Sequence, residues 1–188
     1  MRVVLVGPPG SGKGTQGPPL AAHLGVPYVS TGEALRAEIQ ATTPLGRRVA
    51  ALVDGGELVP DDLVLELVAA ALDESGGYVL DGFPRTVAQA RLLEGDGSPV
   101  APPDLAVHLD VPAAVVHERL ARRAVEESRA DDDDPAVTDH RLRVYEEETA
   151  PLVDRYRTRG ALVTVDADRP AQEVTAATLA AVEAHRRH

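Results

Sequence analysis

Short apolar runs, each stopping on a small or acidic residue, constrain this chain more than any other feature. Val3-Val4-Leu5-Val6 stops at Gly7, Tyr28-Val29 at Ser30, Tyr78-Val79-Leu80 at Asp81, Leu105 to Leu109 at Asp110, and Leu162 to Val165 at Asp166. Near-continuous apolar character marks strands covered on both faces, as in a parallel sheet. Between them lie helical stretches, for example Pro60 to Leu72, Ala113 to Arg123 and Val137 to Tyr156. Strands alternating with helices predict an α/β doubly wound fold, a five-stranded parallel sheet flanked by helices. Ligands in such folds bind beyond the carboxyl ends of the strands, where several of these stops lie.

Two segments interrupt the alternation. Residues 31–72 read as wholly helical between two strands, with breakers at Thr43-Pro44 and Asp54-Gly55-Gly56. They predict a small helical insertion over residues 30–72. Residues 124–136 are acidic, with Asp131 through Asp134 in a row, and predict a short mobile lid over about 119–136. The core then comprises 1–29, 73–118 and 137–188, and the 188 residues form a single domain.

A domain of this size buries roughly 70% of the surface its unfolded chain exposes, so it needs no disulfide, and the chain has no cysteine. That composition fits a reducing, cytoplasmic setting. No run approaches the ~20 apolar residues of a membrane span. The apolar stretch at the N-terminus is too short for a signal peptide. A formal net charge of −11 repels nucleic acid and anionic membranes, so neither is an expected partner.

A phosphate-handling protein this acidic must gather its cations locally. Lys13 is the only lysine among 19 basic residues, and it stands in Gly7-Pro8-Pro9-Gly10-Ser11-Gly12-Lys13-Gly14-Thr15. That segment follows the first strand and opens a helix, the context of a P-loop. Its glycines let successive backbone N–H groups point at phosphate oxygens, and the helix N-terminus adds partial positive charge. Gly10, Ser11, Gly12, Lys13, Gly14 and Thr15 are the candidate ATP-phosphate residues, with Lys13 reaching the β- and γ-phosphates. The common P-loop pattern has Ser or Thr directly after the lysine, to bind Mg²⁺. Gly14 stands there instead. The Gly-Lys-Gly-Thr-Gln form resembles nucleoside monophosphate kinases, and it implies Mg²⁺ held mostly by phosphates and water.

Three further motifs converge on one family. Ser30-Thr31-Gly32-Glu33-Ala34-Leu35-Arg36, Asp54-Gly55-Gly56-Glu57-Leu58-Val59-Pro60-Asp61 and Leu80-Asp81-Gly82-Phe83-Pro84-Arg85-Thr86-Val87-Ala88-Gln89 resemble, in this order, motifs of the adenylate kinases of the short-lid bacterial type. The resemblance runs through nearly the whole chain. It implies reversible phosphoryl transfer from MgATP to AMP giving two ADP, in a cytoplasmic monomer. It also implies that Arg36 and Arg85 grip the AMP phosphate, and that Thr31, Gly32, Glu57, Leu58, Val59, Gly82 and Gln89 complete the AMP site, with Thr31 and Gln89 facing the adenine. Asp81, with Glu33 beside it, would bind waters of the Mg²⁺ shell. Arg119, Arg123, Arg129 and Arg141 would surround the transferring phosphoryl group and the ATP phosphates, Arg119 also covering the ATP adenine.

Arg119 and Arg123 are four residues apart and share a helix face, and guanidinium forks match phosphate oxygens. Arg47, Arg48, Arg157 and Arg187 read as solvated surface. The expected nucleophile, a phosphate oxygen of AMP with a second pKa of about 6, is already largely deprotonated at pH 7. No general base is needed, and none of the histidines stands in a recognisable motif; His108, mid-strand, is expected to pack in the interior. Two alternatives stand beside this reading: a UMP or CMP kinase on the same scaffold, against which Thr86 and Gln89 speak, and an inactive nucleotide-binding module.

Three features depart from the family pattern. Gly17-Pro18-Pro19 falls where the P-loop helix should continue, and an interior proline costs ~3 kcal/mol or more, so a distorted helix is expected. The interval from Arg129 to Arg141 is one residue long of the pattern. The lid lacks a Cys-rich insert, so no zinc is expected there.

Overall fold

β1 (Arg2–Val6) is the middle strand of a five-stranded sheet ordered β2-β3-β1-β4-β5, with every neighbouring pair parallel. The other strands are β2 (Tyr28–Ser30), β3 (Tyr78–Asp81), β4 (Leu105–Asp110) and β5 (Leu162–Asp166). The computed structural model describes residues 1–72, 76–127 and 134–187, with backbone alone for 125–127. The chain leaves β1 toward β2 on one side and leaves β4 toward β5 on the other. That divergence opens a crevice at the carboxyl ends of β1 and β4.

Side chains alternate across the sheet and divide the core in two. Val3, Leu5, Val79, Leu105, Val107 and Leu109 face one side, where α1 (Lys13–Leu24) supplies Leu20 and Ala21 and α9 (Ala171–Arg186) supplies Val174 and Val182. Val4, Val6, Leu80 and Ala106 face the other side. There they meet α2 (Thr31–Gln40), α3 (Pro44–Asp54), α4 (Asp61–Ala71), α5 (Val87–Glu94) and α8 (Pro151–Thr158). Each fully buried Val or Leu contributes roughly 1.5–3 kcal/mol, which holds the strand ends, and so the site, in fixed register.

The 31–72 segment is three helices, broken at the positions the sequence marks. Thr43 caps α3 by accepting from Gly46 N at 3.0 Å, and Gly56 turns the chain with φ 76°. α6 (Ala113–Glu127) runs four residues beyond the expected Arg123. Of the expected lid, residues 119–127 continue that helix and 128–133 fall outside the described residues. The expected single helix from Val137 to Tyr156 is divided. α7 (Pro135–Val144) passes into a π-helical turn at Tyr145–Thr149 before α8 begins at Pro151. Pro151 has no N–H to carry an α-helical ladder across the junction. His108 is half-buried, its Nδ1 lacks a hydrogen-bond partner among the described residues, and burial lowers its pKa.

The expected distortion at Pro18 is not found. α1 runs unbroken through Pro18 and Pro19. Two local facts and one tertiary fact explain it. Gly17 has no Cβ to meet the Pro18 ring, which removes part of the usual pre-proline clash. The carbonyls left without donors belong to Gly14 and Thr15, both exposed and open to water. Packing then overrides propensity: Leu20 is fully buried, and a Cβ on Gly17 would come within 2.1 Å of the Tyr28 ring. We predict that Pro18→Ala, which restores one helix donor, raises unfolding free energy by about 1–2 kcal/mol. Denaturant titration that showed a loss instead would mean the proline is required by the packing.

Candidate active site

The loop after β1 curls because its glycines permit it. Ser11 N donates to Pro8 O at 3.1 Å, and Gly12 caps α1 with φ 96°, a left-handed conformation that side chains resist. A Cβ on Gly7 would meet Ser11 Oγ at 2.6 Å and Leu109 O at 3.0 Å, and one on Gly10 would press on Leu120 at 3.1 Å. The loop is thus wedged between the end of β4 and α6, with α1 pointing its N-terminus into the crevice.

Lys13 folds back over this loop. Its Nζ donates to Gly7 O at 2.8 Å and to Pro8 O at 3.0 Å. Burial pushes its pKa down to about 8; nearby Asp81 opposes that, while Arg85, Arg141 and Arg123 add to it. Asp81, at the end of β3, is 9% exposed and accepts from Tyr28 Oη at 3.1 Å. Burial first, then the Asp81 charge, raises the Tyr28 pKa. Thr31 Oγ1 donates to the Asp81 carbonyl at 3.2 Å, tying the start of α2 to β3.

A cavity of about 900 Å³ spreads over the strand ends. The loop residues Gly10 through Thr15 form one wall, and Arg119, Arg123 and Arg141 another. Gly32, Glu33, Arg36, Leu58, Asp81, Gly82 and Arg85 line the far end. A side pocket of about 60 Å³ continues from that end, lined by Thr31, Glu57, Leu58, Val59 and Gln89 and sharing Gly32, Arg36, Gly82, Arg85 and Arg141 with the large cavity. The structure therefore brings together the sequence-derived candidates with one exception: Arg129 lies outside the described residues.

Several of these side chains are held in place. Arg85 Nε donates to Gly82 O at 2.9 Å, and Arg119 Nη2 donates to Ala167 O at 2.8 Å. Arg141 packs over Gly56, where a Cβ would lie 2.5 Å from its Cγ. His140 Nε2 lies 2.9 Å from Glu57 Oε1, a second link between α7 and the α3–α4 turn. Arg47, Arg48, Arg157 and Arg187 are exposed, away from the cavity. Among the described residues, no group of three or more His, Asp or Glu side chains is placed to hold a metal.

Sequence reasoning missed the loop after β5, where Ala167, Asp168, Arg169 and Pro170 line the cavity. It also missed Arg122, and Gln16, which donates to Ala171 O at 3.2 Å and so docks α1 on the start of α9. The one available signal was that Asp166 ends a strand.

Fold and loop place the chain in the P-loop class of α/β proteins, with one crevice where strand connections diverge. A sequence profile described as Adenylate kinase matches residues 5–161. An adenylate kinase of Stenotrophomonas maltophilia (strain R551-3) is 46% identical over 187 residues, covering 97% of this chain and all of that one. Those of Cyanothece sp. (strain PCC 7425 / ATCC 29141) and Thermobifida fusca (strain YX) are 46% and 45% identical, over 93% and 97% of this chain and 91% and 98% of their own. The chain belongs to the adenylate kinase family. It is an enzyme of reversible phosphoryl transfer, taking ATP and AMP to two ADP; the pyrimidine-specific and inactive alternatives are not favoured.

The lowered Lys13 pKa has a defined consequence for stability. A folded pKa near 8, below the unfolded 10.5, means the unfolded chain holds more of this proton between those values, so the native state gains stability as pH rises through that window. We predict that Lys13→Met lowers turnover by about a thousandfold. At pH 7 the ligand-free variant should be at least as thermally stable as the parent, and its advantage should shrink from pH 8 to 10.5. Retained activity would break the assignment of Lys13, and a variant unfolded at pH 7 would show the lysine to be structural.

Proposed function

We propose that the ATP phosphates lie on the 7–15 loop and AMP at the opposite end against Arg36 and Arg85, so the two nucleotides meet head to head. The observation that carries this is the shared wall of two adjoining cavities. A P-loop stands at one end, two arginines at the other, and the chain's sole lysine between them. The 900 Å³ volume lies at the upper end of the roughly 300–1,000 Å³ usual for ligand pockets, as two nucleotides require.

Roles follow from position. Gly10, Ser11, Gly12, Gly14 and Thr15 offer N–H groups to the ATP phosphates, and Lys13 exchanges its carbonyl partners for phosphate oxygens. Arg119, anchored on Ala167 O, covers the ATP adenine. Arg123 and Arg141 surround the transferring group; Arg129, outside the described residues, joins them by resemblance alone. Thr31, Gly32, Glu57, Leu58, Val59, Gly82 and Gln89 hold the AMP nucleoside. The attacking AMP oxygen is already anionic, so the protein supplies alignment, charge neutralisation and exclusion of water rather than a base.

Mg²⁺ fits the donor set. Among the described residues four carboxylates line the cavity, Glu33, Asp81, Glu118 and Asp168, and of these Asp81 stands near Lys13. Few carboxylate ligands suit an ion that keeps its phosphate and water ligands. Asp81 and Glu33 would hold such waters; the bound ion neutralises phosphate charge. We take the enzyme to be a monomer, as the family resemblance implies, and cytoplasmic, as the absence of cysteine fits; its net charge of −11 argues against nucleic-acid and anionic-membrane partners, and among the described residues no helix is long and apolar enough to cross a membrane.

Arg85→Ala should raise KM for AMP about 10- to 100-fold, the worth of a charge-assisted bond to phosphate, and leave KM for ATP within a few-fold. A fall in ATP affinity instead would reverse the two ends of the site. Calorimetric titration should find two adenine nucleotides per chain; a single site would overturn the head-to-head reading.

A further inference from the structure

Gln89 is 2% exposed and lines the side pocket. Both ends of its amide are already committed on one side. Its Oε1 accepts from Arg85 N at 2.6 Å, and its Nε2 donates to Asp61 Oδ1 at 2.8 Å. Its own N–H is capped by Thr86 Oγ1 at 3.0 Å, which fixes the backbone of this turn. Turning the amide over would set its NH₂ against the Arg85 N–H and its oxygen against the Asp61 carboxylate. The first is donor on donor, the second acceptor on acceptor. Asp61 is the stronger opponent, because an ionised carboxylate only accepts.

We propose that Asp61, at the start of α4, is a positioning residue that decides which purine the enzyme takes as phosphoryl acceptor. It does so by locking the Gln89 amide in one orientation. The inference rests on the reading that Gln89 faces the AMP base. An amide with its outer lone pair and outer N–H left over presents one acceptor and one donor. Adenine answers with a donor at its 6-amino group and an acceptor at N1. Hypoxanthine and guanine carry the reverse pattern, an acceptor at O6 and a donor at N1. A free glutamine serves both classes equally well by rotating its amide, so glutamine alone confers no choice between them. The choice comes from whatever forbids the rotation. A site built to pair specific polar groups rejects the mismatched analogue because buried partners are left unsatisfied. Asp61 lies 28 residues from Gln89 on a different helix, so it reaches the amide only in the folded chain.

The test compares AMP with IMP, which differ only in that edge. Asp61→Asn offers either an oxygen or an NH₂ group to the amide and so removes one of the two conflicts. We expect the ratio of kcat/KM for AMP to that for IMP to fall at least fivefold. IMP should gain and AMP should lose, the AMP loss appearing in KM more than in kcat. Asp61→Glu, which keeps the carboxylate, should restore part of the ratio. Loss of fold or simple destabilisation would lower both substrates together, and an unchanged ratio in Asp61→Asn, or a ratio in Asp61→Glu no higher than in Asp61→Asn, overturns the proposal. Gln89→Ala separates the two layers. If it leaves the ratio untouched, Gln89 does not face the base; if it abolishes the ratio while Asp61→Asn preserves it, only the lock is wrong. Adding Asp61→Asn to Gln89→Ala should change the ratio no further.

Discussion

Like charges crowded at the carboxyl ends of β1 and β3 set the terms for the rest of this molecule. Burial depresses the Lys13 pKa most, Asp81 opposes it, and Arg85, Arg141 and Arg123 lie close enough to add to the depression. Repulsion among cations in a partly water-excluded site is relieved by anions, and phosphate-bearing ligands supply them. In a chain of net charge −11 this cluster stands in a cavity that Glu33, Asp81, Glu118 and Asp168 also line.

The scaffold answers that demand with short, stiff connections. Tyr28 links three parts: its hydroxyl donates to Asp81, its ring lies where any side chain at position 17 would sit, and its backbone pairs with Val79 in the sheet. Gln16 ties α1 to the start of α9, and Arg119 ties α6 to the loop between β5 and α9. These ties join strands and helices around the strand ends, so the groups facing the cavity are positioned by elements buried on both sheet faces. The two prolines in α1 show how far such packing overrides local preference. The carbonyls they leave without a donor belong to the exposed Gly14 and Thr15, and the buried face of the helix supplies compensating contacts.

Much of the fold was legible because buried parallel strands write themselves as apolar runs. The five runs match the five strands within a residue or two at their ends. The glycine loop was legible because its chemistry is local: φ near 96° at Gly12 and close approach at Gly7 require residues without a side chain. The division of the helix expected from Val137 to Tyr156 was not, since a π-helical turn leaves the apolar pattern almost unchanged. Nor was the loop after β5, which carries no motif and enters the cavity wall only through the parallel pairing of β4 with β5.

What the sequence alone determined is therefore what short-range physics dictates: strand positions, the phosphate loop, the three-helix insertion, and the residue types available for a nucleotide site. Tertiary structure decided which of those residues act together. It brought Asp61 to Gln89 and Glu57 to His140 across long stretches of chain, set Lys13 among arginines from three separate segments, and kept α1 straight through Pro18. The physical reason is the same in each case. A hydrogen bond, a charge interaction or a packing contact depends on distance in space, and the order of residues along the chain fixes that distance only after the sheet has formed.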